Sequence, residues 1–380
     1  MRLIQLILVT VTILGLTACG SEVDNTIQPV ALNTIHQQLT LQPSWQAQVG
    51  SGTDGQYLRL TPAISGKKIF AASYEGQIVA LDRHKGDVKW HKQLPHKITS
   101  GLTTGANNIY VGTQEGELYA LSQKDGHIIW HHTVANAVLA QPAYAHQQVF
   151  AKSLDGTIAA FSAKSGHRQW HYQTNVPVIR LYAAGQPRVE GKRVIVGFAS
   201  GQLMAFNRHS GDLLWQQQVA YPQGSNPVQQ MVDITVAPQV KDHHVFVASY
   251  QGKAAALNLK TGQPLWGHKL SAYAGIAQGG NNLYVVDGQG HVWSLDDDNG
   301  MVNWHNTQLQ GRQLSAPKLA DGYLFVGDLD GYLHVLNGQT GNIVSRIHAV
   351  DSPIIAKPLL KDHTVYLYSK NGQLKAVKLP

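Results

Sequence analysis

Apolar residues in this chain come in short blocks rich in β-branched and aromatic side chains, each cut off by a glycine-bearing turn. KKIFAAS (67–73) and GQIVALD (76–82) form the first pair of blocks, with the tripeptide YEG across their junction. Such blocks predict strands, and the intervening tripeptide predicts a tight hairpin closed by glycine. A second turn, RHKGD, leads into another short strand, VKWHKQL. Ahead of several hairpins lies a brief segment marked by Pro62, Pro142, Pro238, Pro317 or Pro358. Proline suits the start of a strand, where no ladder hydrogen bond is lost. The three-and-four apolar spacing of a helical repeat is absent. The pattern therefore predicts four strands per unit.

The unit recurs. Seven times a glycine is followed ten residues later by another, and six of the second glycines have a tryptophan four residues on. The glycine pairs are Gly76 and Gly86, Gly116 and Gly126, Gly156 and Gly166, Gly201 and Gly211, Gly252 and Gly262, and Gly290 and Gly300. Their tryptophans are, in order, Trp90, Trp130, Trp170, Trp215, Trp266 and Trp304. The seventh pair, Gly331 and Gly341, has Ser345 in the tryptophan position. An eighth first glycine, Gly372, is followed only by KLP after its strand, while PSWQAQV (43–49) resembles the tryptophan strand PLWGHKL (264–270). Trp45 is thus expected to complete the last unit. Repeats of about 40 residues with four strands each are propeller blades. The fold expected is all-β, an eight-bladed β-propeller of four-stranded antiparallel blades. Its ring is closed by N- and C-terminal strands in one blade, which removes exposed sheet edges. The seven repeat tryptophans are read as wedges between blades. Each buries about 150–250 Å2, roughly 4–6 kcal/mol of gross burial at ~25 cal/mol per Å2. Trp293, outside the repeat position, is read as core.

The first 18 residues do not belong to the fold. Arg2 supplies a charge and 3–16 an apolar stretch too short to span as a helix, ending in small residues before Cys19. Leu16-Thr17-Ala18-Cys19 resembles the lipobox of bacterial lipoproteins. That resemblance implies acylation of Cys19, removal of residues 1–18 and, with Gly20 rather than aspartate next, the inner leaflet of the outer membrane. Stable anchoring takes more than one acyl chain, and such lipoproteins carry several. Cys19 is the one cysteine, so no disulfide forms within the chain. Residues 19–42 read as the acylated cysteine and a polar, flexible tether, and 43–380 as the propeller. The formal charge of +7 comes without a Lys/Arg cluster, which argues against a nucleic-acid partner. The excess is consistent with simple solubility, or with acidic protein and anionic lipid surfaces.

No catalytic constellation, metal site or cofactor motif is read from the residues. Nineteen histidines include the pairs His131–His132 and His243–His244, but neighbours on a strand point to opposite faces. The acidic run Asp296-Asp297-Asp298-Asn299-Gly300 falls on the second turn of its repeat, where turn chemistry explains it better than calcium. There is no GxSxG and no phosphate loop. ALDRHKGDVKW (80–90) and ALNLKTGQPLW (256–266) resemble the tryptophan docking repeat of pyrroloquinoline quinone dehydrogenases. Those enzymes are eight-bladed too. They are also much longer, bind their cofactor beside a vicinal disulfide and hold calcium, and this chain has a single cysteine. A periplasmic quinoprotein-like dehydrogenase is therefore the rival reading, with a glycan-binding propeller as a third.

Departures from the repeat carry the functional information. From tryptophan to the next first glycine the intervals are 26, 26, 31, 37, 24 and 27 residues. The two enlarged intervals are consecutive, and each falls between the last strand of one blade and the first strand of the next. Strand alternation puts both on one face, side by side. NVPVIRLYAAGQPRV (175–189) brings Val178, Ile179, Leu181 and Tyr182 around Arg180; AYPQGSNPVQQMVDITV (220–236) brings Tyr221, Val228, Met231, Asp233 and Ile234. Apolar residues with an arginine and an acid on adjacent loops are read as a protein-binding patch.

Over the signal, the lipobox and all eight repeats, including GDLDGYLHVLN (327–337) and GDLLWQQQV (211–219), the chain resembles the BamB family of outer-membrane protein assembly factors. The resemblance implies a non-enzymatic lipoprotein scaffold without cofactor. Its place would be the periplasmic face of the outer membrane, bound to the POTRA domains of BamA within the β-barrel assembly machinery and its other lipoproteins. Whether unfolded outer-membrane clients bind directly is left open. In that family the binding residues lie in a Leu-x-Leu-Arg and an Asp-x-Asp stretch on neighbouring loops. These fall here on Ile179, Arg180, Leu181 and Tyr182, and on Asp233 and Thr235. Two positions depart from the pattern: Tyr182 stands where the family has arginine, and Thr235 where it has the second aspartate.

Overall fold

The computed structural model describes residues 27–380, so Cys19 and the signal segment lie outside the described residues. Its strands form eight antiparallel sheets of four. Blades 1 to 7 span 63–93, 103–133, 143–173, 188–218, 239–269, 275–306 and 318–348. Blade 8 combines Leu359–Lys361, Thr364–Tyr368 and Gln373–Lys378 with the N-terminal strand Gln42–Gln48. The expected closure is therefore present, with Trp45 opposite Ala376. Pro62, Pro142, Pro238, Pro317 and Pro358 each stand immediately before an innermost strand.

Each outermost strand carries a β-bulge beside its third strand, as where Ala80 faces Trp90 and Leu81 faces Val88. The extra residue turns the tryptophan toward the next blade. There its indole lies on the second-turn glycine of that blade. A Cβ on Gly262 would stand 2.7 Å from Trp215, and the glycine's φ of +73° disfavours any other residue as well. The indole N–H donates to a carbonyl of the same turn. Trp45 reaches Arg83 at 2.9 Å, Trp130 reaches Ala163 at 3.0 Å and Trp170 reaches Arg208 at 2.8 Å. Trp215 reaches Leu259 at 3.1 Å and Trp266 reaches Asp297 at 2.9 Å. The glycine–tryptophan spacing is thus one interblade joint used seven times, from Trp45 on Gly86 round to Trp304 on Gly341.

The seven tryptophans stand as wedges between blades, as expected, but they are not equally deep. Trp130, Trp170 and Trp215 are buried, whereas Trp45, Trp90, Trp266 and Trp304 are only half-buried. All seven stand on outermost strands, at the perimeter of the disc, so an indole can seal the joint with one edge still in water. The Trp130 ring is flanked by His132 and stacked on Phe161, with ring centres 6.0 and 6.4 Å away. Trp266 touches Phe246 of its own blade at 6.2 Å and is covered less.

Ser345 breaks the series for a physical reason. Blade 8 is closed by two chain ends and has no second turn for a tryptophan to cover. The Ser345 hydroxyl instead bonds Gln37 Oε1 and Leu39 O, both at 2.8 Å, and Leu39 and Leu41 pack on the core between blades 7 and 8. Upstream, Val30 N donates to Gln310 O at 3.0 Å and Arg346 to Asn33 O at 2.6 Å. Residues 28–41, part of the stretch expected as a tether, are therefore laid along blades 6 and 7.

Candidate functional site

Connections from one blade to the next leave on the same face as the hairpins centred on Gly76 and its equivalents. Three connections are long: 14 residues after Gln48, 14 after Gln173 and 20 after Gln218; the two expected to be enlarged, after Gln173 and Gln218, meet. Gly185 lies against the backbone of Thr235 and Val236 so closely that a Cβ would stand 2.3 Å from the Val236 oxygen. The amide of Leu181 bonds the Asp233 carboxylate, with Arg180 nearby.

The outer half of the site is apolar and exposed. Val178 is 94% exposed, and Ile179, Tyr182, Tyr221 and Val228 are all well exposed. Leu181 and Met231 are half-buried, as is Arg180, which donates to Pro177 O at 2.8 Å and so braces the first loop. The second loop is held by Asn226, whose side chain accepts from Gln229 N at 2.9 Å while its carbonyl accepts from Gln230 N at 3.1 Å.

The inner half differs from expectation. Asp233 and Thr235 are only 2% and 1% exposed, and Ile234 is fully buried against Gly197. These three do not face outward with Ile179 and Tyr182; they fasten the second loop to the ring. The Thr235 hydroxyl donates to Tyr273 O at 3.1 Å. Asp233 shares a small cavity with Lys152, Leu181 and Arg180. Burial pushes its carboxyl up to about 6, against the opposing pull of Lys152. The same burial pushes Lys152 down to about 8. The Lys152 ammonium donates to Gly197 O at 2.5 Å and sits 5.1 Å from the Phe198 ring centre. Lys152 was not anticipated as part of the site. Aligning the blades reveals it: the last residue of the second strand is otherwise Ala72, Gly112, Gly197, Ala248, Val286, Gly327 or Tyr368.

Elsewhere the chemistry is structural. Asp296 caps its turn by accepting from Asp298 N at 3.0 Å and Asn299 N at 3.1 Å, and Asp297 pairs with Lys241 at 2.9 Å. Among the described residues, one group of three potential metal ligands lies close together, Asp287, His291 and His305. The Asp287 carboxylate already accepts from Gln289 N, His291 N, His291 Nδ1 and Trp293 Nε1. His305 is stacked on Trp293 with ring centres 3.6 Å apart. Trp293, read as core, is half-buried and forms part of this cluster.

The model of the outer membrane protein assembly factor BamB family matches residues 37–130 and 94–306. A BamB from Pseudomonas aeruginosa is 44% identical over 363 residues, with 96% of each chain covered. The chain belongs to the BamB family. The crystal structure of BamB from Moraxella catarrhalis superposes with a TM-score of 0.80 at 25% identity, covering 89% of this chain and 100% of that one. Quinohemoprotein alcohol dehydrogenase from Comamonas testosteroni superposes at 0.73 with 12% identity, covering 91% of this chain and 78% of that one. At that identity the likeness extends to the propeller alone. BamB membership and a ring of the same shape as that enzyme's are therefore compatible.

Proposed function

We propose that this chain is a non-enzymatic, lipid-anchored scaffold of the β-barrel assembly machinery. It binds the POTRA domains of BamA through the two enlarged rim loops and so aids insertion of outer-membrane β-barrels. The observation that carries the reading is the apolar rim patch of Val178, Ile179, Tyr182, Tyr221 and Val228, built on two long connections that follow one another around the ring. Exposed apolar and tyrosine side chains over a fixed base suit a protein partner. Ile179, Leu181 and Tyr182 supply the contact and Arg180 braces it, while Asp233 and Thr235 act from beneath by holding the second loop against the first. Acylation of Cys19 places the ring at the periplasmic face of the outer membrane.

The test is co-purification with the BamA POTRA domains. Ile179→Ser combined with Tyr182→Ala is expected to abolish it while leaving the thermal unfolding midpoint unchanged, because neither side chain is part of the core. Full retention would move the interface elsewhere. Cys19→Ser is expected to shift the protein from the membrane to the soluble fraction, and persistence in the membrane fraction would refute the anchor.

A further inference from the structure

The axis of the ring holds a cavity of about 630 Å3 between the innermost strands of several blades. A narrower space of about 160 Å3 adjoins it toward the loop face, and Lys357 lines both. Neither lining includes an aspartate or glutamate among the described residues, whereas Lys318, Lys357, Lys361 and Arg59 all contribute. The register shows how unusual this is. Two residues ahead of the one that pairs with the middle of the second strand, the other seven blades carry only glycine, alanine, threonine or glutamine; blade 8 carries Lys357. Lys318 lies on the adjacent blade 7, opposite Phe325 at the middle of that blade's second strand.

Among the described residues, the side chains of Lys318 and Lys357 have no hydrogen-bond or ion-pair partner. Burial, together with the like charge of Lys318, pushes the Lys357 ammonium down to about 8. The other cations are not equivalent. Arg188 is paired with Glu190 at 3.1 Å, and Lys361 stands 3.8 Å from Asp362 near the mouth. Arg59 leaves the connection from blade 8 to blade 1 and reaches across the axis to the carbonyls of Thr235 and Tyr273, on the connections leading into blades 5 and 6. Its side chain is thus a bar across the loop-face end. The channel carries two uncompensated ammonium groups in its wall and a guanidinium across its loop-face end. It opens on the face opposite the rim loops, where the first turns such as Gly66 lie.

We propose that this channel is a binding site for a small phosphate-type oxyanion, seated between Lys318 and Lys357. Two neighbouring ammonium groups repel each other in a confined space, and a divalent oxyanion turns that repulsion into attraction. Lysine is a suitable point-charge partner for phosphate, and Thr61, Thr103 and Gln141 give the wall hydroxyl and amide groups rather than an apolar surface. The volume falls within the range of small-ligand sites. Because the mouth faces away from the rim loops, a ligand can enter while a partner occupies the other face.

Titration calorimetry of the full ring with inorganic phosphate and with pyrophosphate, at fixed ionic strength in sodium chloride, tests this. Saturable binding of one ion per chain is expected, weakened at least tenfold in Lys357→Gln and in Lys318→Gln. Lys361→Gln, already beside Asp362 at the exposed mouth, is expected to change it less than twofold. Crystals soaked in tungstate should show an anomalous peak between Lys318 and Lys357 that is lost in Lys357→Gln. Absence of saturable heat, equal affinity in all three variants, or tungstate peaks on the outer surface only would each overturn the proposal.

Discussion

Gly262 and Gly191 both sit at positive φ, +73° and +55°, but in different surroundings. A Cβ on Gly262 would stand 2.7 Å from the Trp215 ring, whereas nothing lies within 4 Å of one on Gly191. Gly191→Ala should therefore cost only the backbone term, about 1 kcal/mol, and Gly262→Ala that plus the displaced indole, roughly 2–4 kcal/mol in all. Urea unfolding separates the two; equal losses would show that the joint does not depend on the glycine's missing side chain. Asp233 gives a pH-dependent counterpart. Its carboxyl rises from 3.8 to about 6, so the folded chain holds this proton more tightly than the unfolded one. The stability it contributes is complete below the unfolded value and is lost as pH rises through about 6. At ~1.4 kcal/mol per pH unit this amounts to at most about 3 kcal/mol. Asp233→Asn does not titrate, so wild type should gain on it as pH falls from ~7 to ~4. A difference that stays constant over that window would mean the carboxyl is not held as described. Lys152, displaced in the opposite sense to about 8, acts only on the alkaline side, where stability rises as the pH climbs toward 10.5.

Blades, ring closure and loop positions were legible because their determinants are local and repeated. A glycine at positive φ, a bulged outer strand and a tryptophan recur at fixed spacing, and an interval of 31 or 37 residues stands out against 24 to 27, the 31 residues from Trp45 to Gly76 as much as the 31 from Trp170 to Gly201. How deep each indole sits was not legible, since Trp130 and Trp266 occupy the same repeat position and differ only in what surrounds them. Burial within the loops was hidden too. Val232 to Val236 read like the exposed residues beside them, yet they fill a groove made by Gly185 and Gly197, whose missing side chains lie far away in sequence. Residues 28–41 looked like polar tether because their docking uses backbone groups, amide side chains and the scattered leucines Leu32, Leu39 and Leu41, which make no apolar period. Ser345 in place of tryptophan was the clue to that seam. The division within the second loop makes a prediction at this scale. Residues 221–230 are all exposed, whereas 232–236 are all buried. Replacing 222–230 with a short glycine–serine turn should leave the unfolding midpoint nearly unchanged while weakening POTRA capture. A large drop in midpoint would show that the exposed half also holds up the ring.

At the scale of the molecule, each of seven interblade joints is sealed by one indole, so stability depends on the ring being closed. The closing blade is the special case, since its outer strand comes from the other end of the chain and its neighbouring joint uses Leu39 and Leu41 instead of tryptophan. Two truncations separate these contributions. Starting the chain at residue 42 removes the strap over blades 6 and 7 but keeps the strand Gln42–Gln48. Losing three half-buried leucines, Leu32, Leu39 and Leu41, each with about half of the ~1.5–3 kcal/mol of full burial, should cost roughly 2–4.5 kcal/mol and leave a monomer. Starting at residue 50 also removes Trp45 from Gly86 and strips the edge of Gln373–Lys378, exposing unpaired backbone groups along that strand. An uncovered strand edge recruits other chains. This second form should therefore elute as dimers and larger aggregates in size-exclusion chromatography, increasingly so at higher concentration, where the first stays monomeric. Monomeric behaviour of both would mean that seven blades close without the N-terminal strand, and that the joint between Trp45 and Gly86 is dispensable to the ring.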